Sequence, residues 1–125
     1  DMTSITATGE FFGTADFLSP EVVEGEEATW LSDQYALGIT FYYLLTAALP
    51  FKAATAQAAL YRRLNEPPPS PRSLRPELTE RTCRVAARLF ARTPDERFAT
   101  YSELADEIEA GLDMSTSGDR KMSRH

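Results

Sequence analysis

Three short stretches hold most of the residues able to do chemistry. They are Gly13-Thr14-Ala15-Asp16-Phe17-Leu18-Ser19-Pro20-Glu21, Ser32-Asp33-Gln34-Tyr35-Ala36-Leu37-Gly38 and Thr93-Pro94-Asp95-Glu96-Arg97-Phe98. A hydroxyl-rich run, Thr3, Ser4, Thr6 and Thr8, precedes the first of them. Hydroxyls in a polar loop can accept phosphoryl groups, each adding about −1.5 to −2 charge and oxygens that pair with arginine. Carboxylates and a guanidinium far apart in sequence can form a two-pronged ion pair that fixes one segment against another. Other chemistries are excluded. The sole histidine is His125, so no histidine-based zinc site or internal Ser-His-Asp triad can be assembled. The sole cysteine, Cys83, allows no internal disulfide and is read as a small helix residue rather than a reactive thiol.

These residues need a body to position them. With 125 residues, 42% of them hydrophobic, the chain is one domain or part of one and can bury a modest core. A net charge of −6 and a pI near 4.8 weigh against nucleic acid or an anionic membrane as main partner. No apolar run approaches the roughly 20 residues that a bilayer-spanning helix needs. The N-terminus is polar and Thr-rich, unlike a signal peptide, and a cytoplasmic location is expected. The chain starts at Asp1, so it is expected to be a piece of a longer protein.

The punctuation predicts irregular chain up to Glu27, with a helical turn opened by Pro20 and Glu21. From Ser32, a candidate N-cap, the run Tyr35, Leu37, Ile39, Phe41, Tyr42, Leu44, Leu45 is apolar nearly all round. That pattern predicts a central helix buried on most sides, ended by Leu49-Pro50-Phe51. Residues 53–65 predict an alanine-rich helix with Leu60, Tyr61 and Leu64 on one side. The prolines of 66–71 force an extended connector. Thr79 is placed to cap a helix whose Thr82, Val85, Ala86 and Leu89 share a face, stopped by Pro94. Thr100 and Glu103 form a capping-box pattern ahead of Tyr101, Leu104, Ala105, Ile108 and Leu112, with Gly111 as the end. The tail 113–125 is expected to be disordered. The fold class is therefore mainly α, behind an N-terminal loop.

The order of these motifs resembles the helical C-terminal lobe of a protein kinase, most similar to the bacterial eukaryotic-like Ser/Thr kinases of the PknB type. The resemblance covers about Ser4 to Leu112. It implies that 1–31 are the end of the activation segment and the loop that receives the substrate residue after the acceptor, and that 32–112 are the helical core. In such kinases the segment ends in a Gly-Thr pair and an Ala-Pro-Glu-type signature. Here those are Gly13-Thr14 and Ser19-Pro20-Glu21. The resemblance makes Gly13, Thr14, Ala15, Phe17 and Leu18 substrate-loop residues, with Thr14 supporting the catalytic aspartate. It makes Thr6 and Thr8 candidate regulatory phosphothreonines, Asp33 the anchor of the catalytic-loop backbone, and Glu21 and Arg97 a structural ion pair. Departures are Ala15 where many kinases have proline, Phe17 where tyrosine is usual, and an apolar Thr29-Trp30-Leu31 where charge is typical.

No residue in this chain matches the Gly-rich phosphate loop, the ATP-pairing lysine, the catalytic-loop aspartate and asparagine, or the metal-binding Asp-Phe-Gly. The expectation is a parent Ser/Thr kinase that uses ATP and Mg²⁺ on protein substrates, while this chain alone holds no cofactor, carries no catalytic residue and is inactive. Its expected partners are the rest of the kinase domain and, through uncovered apolar surface, a second copy of itself. The alternative is a non-catalytic, kinase-like interaction scaffold.

Overall fold

A computed structural model of the chain describes residues 14–111. Most helices start at a hydroxyl cap. After a 3-10 turn at Thr14–Phe17, helix α1 (Pro20–Val23) opens on proline, whose fixed φ suits the first helical position and whose missing N–H is not needed there. Helix α2 (Trp30–Thr46) begins ahead of Ser32, because Thr29 is the cap. The Thr29 hydroxyl accepts from Leu31 N at 3.1 Å, and Ser32 Oγ accepts from Thr29 N at 2.7 Å. Ser32 therefore closes a reciprocal box from the third helical position instead of capping. The helix ends at Thr46, ahead of Leu49-Pro50-Phe51, where Ala47 turns left-handed at φ 62°.

Helix α3 (Ala56–Asn65) starts later than the alanine run suggests, because Thr55 caps it by accepting from Ala58 N at 3.1 Å. Tyr61 lies on its exposed side, and the buried residue is Arg63. Two residues on a helix are about 200° apart, so these two must face opposite ways. The proline connector leads to a 3-10 turn at Pro71–Ser73. Helix α4 (Glu80–Leu89) is capped by Thr79, which accepts from Thr82 N at 3.2 Å, and it buries Cys83, Ala86 and Leu89. It ends ahead of Pro94, which starts a 3-10 turn at Pro94–Glu96.

Helix α5 covers 101–111, with Gly111 still helical as the last described residue. Thr100 accepts from Glu103 N at 3.0 Å, while the Glu103 carboxylate reaches back to Ala99 N at 3.0 Å, one residue further than a regular box. Of its expected stripe, Leu104 is buried while Tyr101, Ala105 and Ile108 are exposed. Leu112 and the tail lie outside the described residues.

The core forms around α2. Tyr35, Ile39, Tyr42, Phe51 and Phe90 make one cluster, with Phe17 and Leu49 packed against it. Phe90 is its hub, meeting Tyr35, Tyr42 and Phe51 edge-on at centroid distances of 6.1, 5.8 and 6.3 Å. Leu89, Phe98 and Leu104 make the second cluster, flanked by Phe41 and Val85. Burial of α2 is one-sided: Leu37 is 50% and Leu44 76% exposed.

Gln34 fastens the chain beyond α4 to the centre. Its Nε2 donates to the Phe98 carbonyl at 3.0 Å, and its Oε1 accepts from Phe98 N at 2.8 Å. The amide thus satisfies both polar groups of one buried residue. Replacing Gln34 by alanine strands both and is expected to cost about 2 to 4 kcal/mol in urea unfolding; an unchanged midpoint would refute this role.

Candidate functional site

Glu21 lies in α1, at the end of the N-terminal segment, and Arg97 follows the Pro94–Glu96 turn. Packing of the helices brings them together. Arg97 Nη1 donates to Glu21 Oε2 at 2.7 Å and Nη2 donates to Oε1 at 3.0 Å, a fork-on-fork contact. The other donors go to carbonyls: Nε to Ala91 at 2.8 Å, Nη1 to Leu31 at 3.0 Å and Nη2 to Arg92 at 3.2 Å. A guanidinium has five N–H groups, and this one uses all of them. Its central carbon also stands 5.0 Å from the centre of the Tyr35 ring. Arg97 is only 1% exposed, which a cation tolerates only when every donor is matched.

Burial works to raise the Glu21 carboxyl, but the hydrogen bonds and charge of Arg97 outweigh it, and the group is held below its ordinary value. Burial pushes the Tyr35 phenol up, against the opposing influence of the Arg63 and Arg97 cations.

A second arginine holds the other end of the same segment. Arg63, on α3, donates from Nη1 to the Ala15 carbonyl at 2.6 Å and from Nη2 to the Asp16 carbonyl at 3.1 Å. Ala15 is exposed, Leu18 is partly buried and donates its N–H to the Ala15 carbonyl at 3.3 Å, and Phe17 packs on the Tyr35–Phe90 cluster. Asp33 is exposed in the first turn of α2, its backbone N–H bonded to the Thr29 carbonyl at 3.1 Å. Thr14 begins the 3-10 turn. Thr6, Thr8 and Gly13 lie outside the described residues.

The apolar Thr29-Trp30-Leu31 now has a physical account. Thr29 caps α2, Trp30 packs on Tyr101 with ring centres 4.5 Å apart, and Leu31 supplies a carbonyl to Arg97. Arg63 and Gln34 escape a reading of motifs. A signal for Arg63 exists, since it falls three residues after Leu60 on the inward stripe of α3, where a charge is out of place.

The described residues contain no cluster of His, Cys, Asp or Glu able to hold a metal ion. No helix among them is long and apolar enough to cross a membrane.

The sequence matches the protein kinase domain over residues 1–108. It is 34% identical over 110 residues to a probable serine/threonine-protein kinase of Streptomyces coelicolor, covering 88% of this chain and 16% of that protein. It is 32% identical over 120 residues to the probable serine/threonine-protein kinase PknB of Lactococcus lactis, covering 96% and 19%. To the serine/threonine-protein kinase PrkC of Bacillus subtilis it is 29% identical over 121 residues, covering 97% and 19%. The chain thus spans less than a fifth of the length of these relatives. Among solved structures, the twitchin kinase region of C. elegans shares its fold, with a TM-score of 0.64 at 23% identity over 74% of this chain and 16% of that one. A match running through the Gly13–Glu21 stretch, the central helix and the Arg97 turn alike places this chain in the protein kinase domain family.

Proposed function

We propose that the chain is the activation-segment end and substrate-side helical lobe of a Ser/Thr protein kinase. In this reading the parent protein supplies ATP binding, Mg²⁺ and the catalytic loop, and phosphorylates serine or threonine of protein substrates in the cytoplasm. The observation that carries it is the seating of the segment ending at Glu21, held by Arg97 at one end and by Arg63 at the other, in a chain that matches kinases over most of its length. Residues 1–31 serve as segment and substrate loop, 32–112 as body, and 113–125 as a tail. Gly13, Thr14, Ala15, Phe17 and Leu18 face the substrate residue after the acceptor, and Thr14 supports the catalytic aspartate. Thr6 and Thr8 are the regulatory phosphate acceptors. Asp33, exposed at the start of α2, receives the catalytic-loop backbone. The exposed Leu37 and Leu44 offer a surface to the rest of the kinase domain, or to a second copy when it is missing.

The test is transfer of radiolabelled phosphate from ATP by the full-length parent, as wild type and as Thr6→Ala/Thr8→Ala. The expected results are transfer by wild type, weaker transfer by the double variant, and none by this chain alone. A well-folded parent without transfer would refute the kinase reading in favour of a non-catalytic scaffold.

A further inference from the structure

Arg63 lies in the last turn of α3 and is 3% exposed, yet its hydrogen bonds leave its own helix. They go to two consecutive carbonyls, Ala15 and Asp16, 48 and 47 residues away. Burial of a cation is costly unless its donors are used. The Arg63 Nε is buried without a hydrogen-bond partner, and so is the Tyr35 hydroxyl. The two hydrogen bonds made by its Nη atoms thus go to the segment and not to its own helix. A planar fork is suited to gripping two neighbouring oxygens, and a lysine ammonium, a single point charge, is not. The next residue, Phe17, is packed into the Tyr35–Phe90 cluster, so the turn is held by polar contacts on one side and apolar contacts on the other.

We propose that Arg63 is a positioning residue for the loop that receives the protein substrate, acting through the Ala15 and Asp16 backbone without touching substrate. This rests on the kinase reading above. Arg63 sets where the loop residues stand relative to the helical body. It therefore governs affinity for the polypeptide substrate and preference at the residue after the acceptor, while nucleotide binding is unaffected.

The experiment compares full-length wild type, Arg63→Lys and Arg63→Met on an array of Ser/Thr peptides varied at the residue after the acceptor, with hydrogen–deuterium exchange over residues 14–19. The expected result is a roughly 10- to 100-fold rise in peptide KM, the size set by one or two charge-assisted hydrogen bonds, with ATP KM unmoved. Preference at the varied position flattens and exchange at 14–19 quickens, with Arg63→Lys restoring little. Where Arg63→Met fails to fold, Arg63→Lys decides, since it keeps the stem and the charge and loses only the fork. A folded variant with wild-type peptide KM, preference and exchange overturns the assignment, as does a loss that falls equally on ATP and peptide. If wild type itself transfers no phosphate, the kinase reading fails, and exchange at 14–19 still decides whether Arg63 holds the turn.

Discussion

Replacing Arg97 by alanine is expected to lower the unfolding free energy by about 3 to 5 kcal/mol, the cost of leaving a buried charge without its partner. The reason is the number of groups stranded at once. Glu21 loses both prongs of its ion pair, and the carbonyls of Ala91, Leu31 and Arg92 lose a donor. Domains of this size are typically stable by only about 5 to 15 kcal/mol, so urea unfolding should show a large fall in midpoint. Arg97→Lys should recover only part, because one ammonium cannot reach three carbonyls and two carboxylate oxygens together. Arg97→Met combined with Glu21→Gln should cost less than the sum of the two single changes, since the second removes the charge orphaned by the first. Strict additivity would show that the pair contributes no coupling.

The same pair sets a pH dependence. The Glu21 carboxyl titrates lower in the folded state than its ordinary 4.5, so the folded chain binds fewer protons there than the unfolded one. Its contribution is fully present above pH 4.5 and is lost as pH falls through the folded value. Wild type should therefore lose stability on acidification more steeply than Glu21→Gln, which has no carboxyl to protonate. Parallel pH profiles would contradict this.

The second large effect is expected at Gly38. A methyl group there would lie 2.8 Å from Leu89 Cβ, 2.8 Å from Phe90 N and 2.9 Å from Phe90 Cβ. One of these atoms is backbone, so no rotamer change relieves the clash, and α2 must move away from the end of α4. That shift displaces Phe90, on which Tyr35, Tyr42 and Phe51 all rest. Gly38→Ala is expected to cost about 2 to 3 kcal/mol by overpacking. This holds even though alanine gains about 1 kcal/mol over glycine inside a helix. Thermal and urea unfolding measure it directly. A variant as stable as wild type would mean that the helices approach less closely than described.

Much of the architecture is legible in local windows. Thr79 capping α4, Pro20 opening α1 and the proline run after Glu66 follow from backbone chemistry over a few residues, and the structure has them there. Where two local signals compete, the reading slips: Ser32 and Thr29 are both able to cap, and the choice falls on Thr29 because Ser32 can then close the box from inside. The one-sided burial of α2 is likewise not a local property, since Leu37 and Leu44 are as apolar as their buried neighbours and differ only in what packs on them.

The order of helices, most of their caps and breaks, and the motif spacing that marks the kinase family are all written in short stretches of sequence. Which charges are buried, and what they hold, depends instead on how the helices pack. Arg62 and Arg63 are adjacent and chemically identical, yet one pairs with Glu66, the residue just past its own helix, and the other is drawn inside to grip Ala15 and Asp16. Glu21 and Arg97 pair across 76 residues, and Gln34 spans 64 to reach Phe98. A hydrogen bond acts over about 3 Å, whereas a sequence window carries information over a few residues. Contacts of this separation exist only once α2 and α4 have closed on Gly38 and the helices have packed around the core.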